Sequence, residues 1–433
     1  MVGVAIASGV AAATLSTAAV DATAAGQMSS TPRGRVLVLN QNLREFNRTW
    51  NDDILGRRAG DMEAHRELGN FARRVARRLN RAPDVIVTQE TGKKTLSIVA
   101  RKLRGTTGRP YAAVVQPRKL YPRGRHADPL VARNTGVIIN SSTMRFLRGG
   151  YLRAYMRDEN INSEGIRRLV DQAWALLEER RSGMNVLVMA IHFPPREFFR
   201  DYDATYYRTT VWARRVIRFV KTNFPNVDVV ALGGEWNKRR CHHYPERVDC
   251  RTTDWWNRLI NAGYRDAVLN AHMTDDGIQA HSIAVGWGLE GYDGPKWKRI
   301  DFIFAKHVIF SAGRDMRYNQ LRLHPRFISD HRWDTAVVGK RPTVLRSTIW
   351  RKRKVHVTGS VSGPEAGSNV TVELLRKRNG RFRLLARKIE ALDEMRDFST
   401  SFRRRGWGTC RITVRYPGNA SVLGSKERKT FSC

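Results

Sequence analysis

Six apolar runs of this chain end on, or carry, residues that can do chemistry. VLVLNQNL delivers Asn42, DVIVTQE delivers Glu90 and VLVMAIHF delivers His192. VVALGGEWN delivers Glu235 and Asn237, KRIDFIF carries Asp301, and FISDHRW supplies Asp330 and His331. Runs of this kind read as buried strands, and open sheets place their ligands beyond the carboxyl ends of such strands. Carboxylates, amides and imidazoles gathered there are what a hard divalent cation and a phosphate ester need. Singly, each has a plainer use. Glu90 could support a helix N-cap, His192 could be a satisfied core histidine, and Asn42 and Asn237 could cap turns. Asp301 could be half of a structural ion pair, and the Ser-Asp-His triplet could be a cap. Only coincidence would put all of them at the same kind of boundary.

The chemistry follows from charge. A phosphodiester is anionic, and water attacking it builds more charge on its oxygens, so a divalent cation with imidazole and amide donors lowers the barrier electrostatically. Mg²⁺, or Mn²⁺ in its place, takes one or two carboxylates and keeps several waters, which suits Glu90 with Asp330. No serine or cysteine nucleophile is required.

The elements that must position these groups alternate from about residue 33 to 340. Strand-like runs are interleaved with segments of helical spacing, GDMEAHRELGNFARRVARRLN, SEGIRRLVDQAWALLEERR, YYRTTVWARRVIRFVKTNF and TTDWWNRLINAGY. Strands outnumber helices and some follow each other directly, so the pattern predicts an α+β layered sandwich with helices outside. Beyond Pro342 the texture turns to short alternating runs with turn signals, the spacing of a small antiparallel β-sandwich over residues 342–433.

Charge is the outstanding feature of the composition. The chain has 77 Lys+Arg against 40 Asp+Glu, a formal net charge of +37, which implies an anionic partner such as nucleic acid, anionic lipid or an acidic cell-surface polymer. Residues 341–433 hold 22 basic and 7 acidic residues, so this module reads as an electrostatic tether. Residues 1–25 hold no basic residue and end near Ala22-Thr23-Ala24; they read as a secretory signal, with a retained anchor as the competing reading. A secreted, monomeric protein is expected. Two local disulfides, Cys241–Cys250 and Cys410–Cys433, fit export, while Cys241, His242, His243 and Cys250 leave a zinc site as the alternative for the first pair.

Taken in order, Asn42, Gln89-Glu90, His192, GGEWN at 233–237, RIDFIF at 299–304 and Ser329-Asp330-His331 resemble the endonuclease/exonuclease/phosphatase superfamily of metal-dependent phosphoesterases, over roughly residues 33–340. The resemblance implies a four-layer α/β sandwich of two mixed sheets flanked by helices. It casts Glu90 as the principal metal ligand, supported by Asn42 and Asp330. His331 would contact the scissile phosphate with Asp301 orienting it, His192 and Asn237 would donate to phosphate oxygens, and Glu235 would orient water. Two residues depart from the family pattern: Glu235 stands where an aspartate is usual, and Ala190-Ile191 precede His192. The C-terminal texture resembles bacterial immunoglobulin-like modules.

Export, net charge and basic helices interleaved with aromatics point to extracellular nucleic acid as substrate. A phospholipid, sphingomyelin or phosphoinositide phosphoesterase is the nearest alternative, with the loop at 282–297 as a lipid or base contact. A non-catalytic polyanion-binding protein on a degraded core is the third.

Overall fold

The computed structural model describes residues 31–43, 62–79, 81–116, 135–153, 155–157, 167–169, 171–193, 202–236, 242–243, 248–249, 254–267, 301–314, 333–351, 354–403 and 407–433. The N-terminal apolar stretch, Asn237, Cys241, Cys250, the 282–297 loop, Asp330 and His331 lie outside them.

The chain is mixed α/β and mostly sheet. One six-stranded sheet runs β15 (Val308–Arg314), β16 (Asp334–Gly339), β1 (Arg35–Asn42), β2 (Val85–Gln89), β4 (Gly136–Asn140), β3 (Tyr111–Val115). A second runs β13 (Arg265–Asp266), β14 (Asp301–Lys306), β10 (Val229–Glu235), β9 (Met184–His192), β8 (Gln172–Glu179), β5 (Met144–Leu152). The pairs β1–β2 and β9–β10 are parallel; the other pairings in both sheets are antiparallel. Two ribbons complete this part, β6 (Tyr155–Arg157) with β7 (Arg167–Leu169) and β11 (His242–His243) with β12 (Val248–Asp249).

Alternation along each strand sorts its side chains between two cores. Val36, Val38, Val85 and Val87 of the first sheet meet Val186, Val188, Ala231 and Ile303 of the second in one buried cluster. The opposite faces are covered by helices. Leu68, Phe71, Leu96 and Val99, from α1 (Met62–Arg78) and α2 (Lys93–Thr107), pack on Leu39, Ile86 and Ile138. Trp212, Val216, Trp255 and Leu259, from α3 (Tyr202–Asn223) and α4 (Asp254–Asn261), pack on Leu187, Met189, Leu232 and Phe302. Strands covered on both faces read as continuous apolar runs, which is why they were conspicuous in the sequence.

One expected helix is a strand. Residues 163–181 carry apolar residues at helical spacing, yet Gln172–Glu179 form β8. Ala173, Ala175 and Leu177 face the inter-sheet core while Trp174 and Leu176 pack beneath the helices, so both parities are apolar and the period of two is hidden. Helix α2 and strand β5, which the sequence reading passed over, are also present.

The C-terminal part holds a three-stranded sheet, β17 (Leu345–Arg351), β18 (Lys354–Val361), β21 (Asp397–Arg403). Its four-stranded partner runs β20 (Arg381–Ala391), β19 (Asn369–Arg378), β22 (Thr409–Tyr416), β23 (Ser425–Ser432). Their apolar faces close on Val355, Val357, Phe398, Val370, Val372, Ile412 and Val414. The expected Cys410–Cys433 disulfide is formed and ties the last residue to β22. The two parts are joined by more than a linker: Leu423 donates its N–H to the Arg341 carbonyl at 2.8 Å, and its side chain enters the inter-sheet core. Gly34, at φ +73°, lets that side chain in, since a Cβ there would stand 2.3 Å from Leu423. Among the described residues no helix is long and apolar enough to cross a membrane.

Candidate active site

The inter-sheet core is apolar along most of its length and polar at one end. β1, β2, β9 and β10 all reach that end with their carboxyl termini. Continuing the parity of Val36 and Val38 places Asn40 and Asn42 between the sheets. By the same rule Gln89 follows Val87, His192 follows Ala190, Glu235 follows Ala231, and Asp301 precedes Ile303. All of these except His192, which is partly buried, are buried. Burying so many polar groups in a core is costly without partners or a ligand.

Two of these side chains converge with Glu90, which follows β2. Glu90, His192 and Glu235 each offer a ligand atom within 4.8 Å of the others. Nε2 of His192 lies 3.4 Å from Glu235 Oε2 and 3.7 Å from Glu90 Oε1. Asn42 donates its amide N–H to Glu235 Oε2 from the opposite sheet, which fixes that carboxylate's orientation. Asp301 is the Cα partner of Glu235 on β14 and is fully buried.

Local structure explains how each is held. His192 sits at the end of β9, where Gln172 Oε1 accepts its backbone N–H at 2.6 Å and Gln172 Nε2 donates to its carbonyl at 2.9 Å. Glu90 follows β2 with φ 46°, a left-handed conformation uncommon for a residue with a Cβ and typical of strained functional positions. It does not serve the helix that follows, because α2 is preceded by Gly92 and has no side-chain cap. Glu235 is held from behind by Trp236, which is fully buried against Phe193 (4.9 Å), Phe304 (5.0 Å) and Trp255 (5.3 Å, stacked).

Of the residues expected from the sequence, Asn42, Glu90, His192, Glu235 and Asp301 therefore gather at one end of the inter-sheet core. His192 and Glu235, expected to serve phosphate and water, stand with Glu90 as possible metal ligands, and Asn42 orients Glu235. Three further residues, Asn40, Asp334 and Gln172, escaped the sequence reading, and Gln89, part of the Gln-Glu motif, was given no role there. Asn40 and Gln89 are buried, and neither amide has a hydrogen-bond partner among the described residues. Asn40 Oδ1 would stand 3.6 Å from a Cβ at Gly233. Asp334, fully buried, is the Cα partner of Asn40 on β16. Gln172 was hidden inside the expected helix. A polar residue at the inward parity of an otherwise apolar strand is the signal that would have found Asn40 and Gln89.

These residues fit a hydrated divalent cation. Glu90 and Glu235 supply hard oxygen ligands and His192 a nitrogen, and the unpartnered amides of Asn40 and Gln89 lie on the same inward face, suited to coordinated water. In a chain of net charge +37, the carboxylates of Glu90, Glu235, Asp301 and Asp334 collect at this one end. No protein-family model matches the chain, and no curated protein matches it.

Proposed function

We propose that this protein is a secreted, divalent-metal-dependent phosphodiesterase of the endonuclease/exonuclease/phosphatase type that hydrolyses nucleic acid. The observation that carries the reading is the convergence of Glu90, His192 and Glu235, drawn from both sheets, at the carboxyl ends of the parallel strands. The succession of helices, sheet, sheet and helices supports a four-layer α/β sandwich, and the two small sheets closed on one apolar core, with Cys410–Cys433 fastening the end of the four-stranded one, support an immunoglobulin-like module. That disulfide also favours an oxidising compartment.

Glu90 and Glu235, with His192, would hold Mg²⁺ or Mn²⁺. When bound, the ion supplies Lewis-acid polarisation of a phosphoryl oxygen and acidifies a bound water. The protein supplies position. Asn42 keeps the Glu235 carboxylate aimed inward, Gln172 fixes the backbone of His192, and the Trp236 cluster holds the strand end rigid. Asp301, the cross-strand partner of Glu235, would orient a neighbouring base or water.

The reading is tested by offering the purified protein plasmid DNA, RNA, and sphingomyelin and phosphoinositide vesicles, each with Mg²⁺ and then with EDTA. EDTA-sensitive cleavage of nucleic acid is the expected result. Cleavage of lipid alone would replace the substrate, and no cleavage of any substrate would leave a polyanion-binding protein.

A further inference from the structure

The cations of the C-terminal module are arranged, and not only abundant. On β22 and β23 the inward parity carries Ile412 and Val414, and the outward parity carries Arg411 and Arg415 facing Thr430 and Lys426, with Arg428 between them. Arg415 and Lys426 are cross-strand partners, and Arg415, Lys426 and Arg428 are exposed. Lys426 and Arg428, two residues apart on one strand, are separated by roughly 6.8 Å. That is close to the axial rise of two successive phosphates on one strand of a nucleic acid, about 3.4 Å each.

This row runs into a cleft where the two parts of the molecule meet. The cleft has a volume of about 710 Å³ and is lined in part by Arg33, Thr343, Thr371, Arg415, Ser425 and Lys426. Arg33 comes from the segment before β1, so both parts contribute cations. The hydroxyl of Ser425 is buried and has no hydrogen-bond partner among the described residues. The acids there are engaged: Glu373, nearby, pairs with Arg387 at 2.7 Å and with Arg415 at 4.0 Å, and Glu427, which itself lines the cleft, accepts from the Ser347 hydroxyl at 2.6 Å and pairs with Lys429 at 3.3 Å.

We infer that this junction cleft, with the row leading from it, is a second binding site for the phosphate backbone of a nucleic-acid strand. Arg33, Arg415 and Lys426 would meet phosphates, while Thr371 and Ser425 would donate hydrogen bonds to phosphate oxygens; the Thr343 hydroxyl already donates to the Leu423 carbonyl at 2.9 Å. Val344 and Leu345 also line the cleft, and Val344 is exposed, so membrane lipid is the competing occupant; what favours a nucleic-acid strand is the row of Arg415, Lys426 and Arg428 at phosphate spacing, while the exposed apolar residues Leu384 and Ile389 lie on β20, two strands away from β22. The cleft opens near Gly34, at the start of β1, and the carboxylate cluster lies beyond Asn42 at its end. An eight-residue strand spans roughly 26 Å, so the two sites are at opposite ends of the sandwich and one polymer must be long to touch both. The cleft therefore retains the polymer and does not feed the chemistry directly.

The inference shares its choice of polymer with the proposed function, so the test is made in EDTA and reads binding alone. The full chain is titrated into a fluorescein-labelled 30-nucleotide single-stranded DNA, followed by anisotropy at several NaCl concentrations. Replacing Arg33, Arg415 and Lys426 together with alanine is expected to weaken binding about tenfold or more. The slope of log K against log salt should flatten by about 2, at roughly 0.7 per lost single-strand contact. Two controls decide it. Removing Arg346, Lys354 and Arg403, exposed residues of the three-stranded sheet, should leave affinity within about twofold, and the R415K/K426R variant should bind as the parent does. Equal loss from both triple variants would mean that net charge and not the cleft binds DNA. Unchanged DNA affinity with loss of binding to phosphatidylserine vesicles would assign the cleft to lipid. Either result overturns the inference, whatever the protein's hydrolytic activity.

Discussion

Glu235 is one methylene longer than the aspartate that the resemblance would place there, and the fold uses the extra reach. Its Oε2 meets both the Asn42 amide and, at 3.4 Å, the His192 ring. A misplacement of about 1 Å can cost about 100-fold in rate. Glu235→Asp is therefore expected to lower hydrolysis by about ten- to a hundredfold; a variant that gains activity would mean that Glu235 is a degraded aspartate. Glu90 gives a second contrast at this scale. Its left-handed backbone is one that only glycine adopts without penalty, and the strain at such positions is of order 1–3 kcal/mol. Glu90→Gly should keep or raise the melting temperature while abolishing hydrolysis. A lower melting temperature would show that Glu90 is structural.

At the level of elements, β10 is the part on which the cluster turns. Its glycines let neighbours in: a Cβ at Gly233 would stand 2.5 Å from Val87 on the other sheet, and one at Gly234 would stand 1.9 Å from the Ile191 carbonyl carbon's oxygen. Gly233→Ala is expected to cost about 1–3 kcal/mol in chemical denaturation and to push Glu235 away from Asn42. Trp236→Ala, which empties the centre of an aromatic cluster, should cost about 3–5 kcal/mol. The strands carrying Asn42, Glu90, His192 and Glu235 were legible because each is a continuous apolar run that ends in a polar residue. β8 was not, because cores on both sides make both parities apolar, and Gln172 was lost with it. The neighbours that Asn42 and Glu235 choose were illegible for another reason. They lie on different sheets, 193 residues apart, and only the stacking of those sheets brings them together.

At the scale of the whole molecule, the junction couples the two parts and carries its own titration. His307, at φ 75°, has its pKa held below its ordinary value of 6.5, first by burial and then by the Lys340 charge, against a backbone hydrogen bond involving Ala420. A histidine with a lowered folded pKa adds stability that is present above about 6.5 and is lost as pH falls toward the folded value. The melting temperature should therefore decline as pH falls below 6.5. In His307→Asn, a residue that tolerates this backbone conformation, the decline should be smaller. An identical pH profile in the variant would remove His307 from the junction's energetics. Seating of Leu423 in the inter-sheet core also implies that the C-terminal part is a structural companion of the first and not a loose appendage.

Whether Glu90, His192 and Glu235 hold a catalytic divalent cation is decided by titrating Mn²⁺ into the protein and following the free-ion electron paramagnetic resonance signal. The parent chain is expected to remove the signal with a saturable site, Glu90→Gln and His192→Ala to lose that site while remaining folded, and Mg²⁺ to compete for it. Equal Mn²⁺ uptake by the parent and both variants, or none by the parent, would contradict such a site.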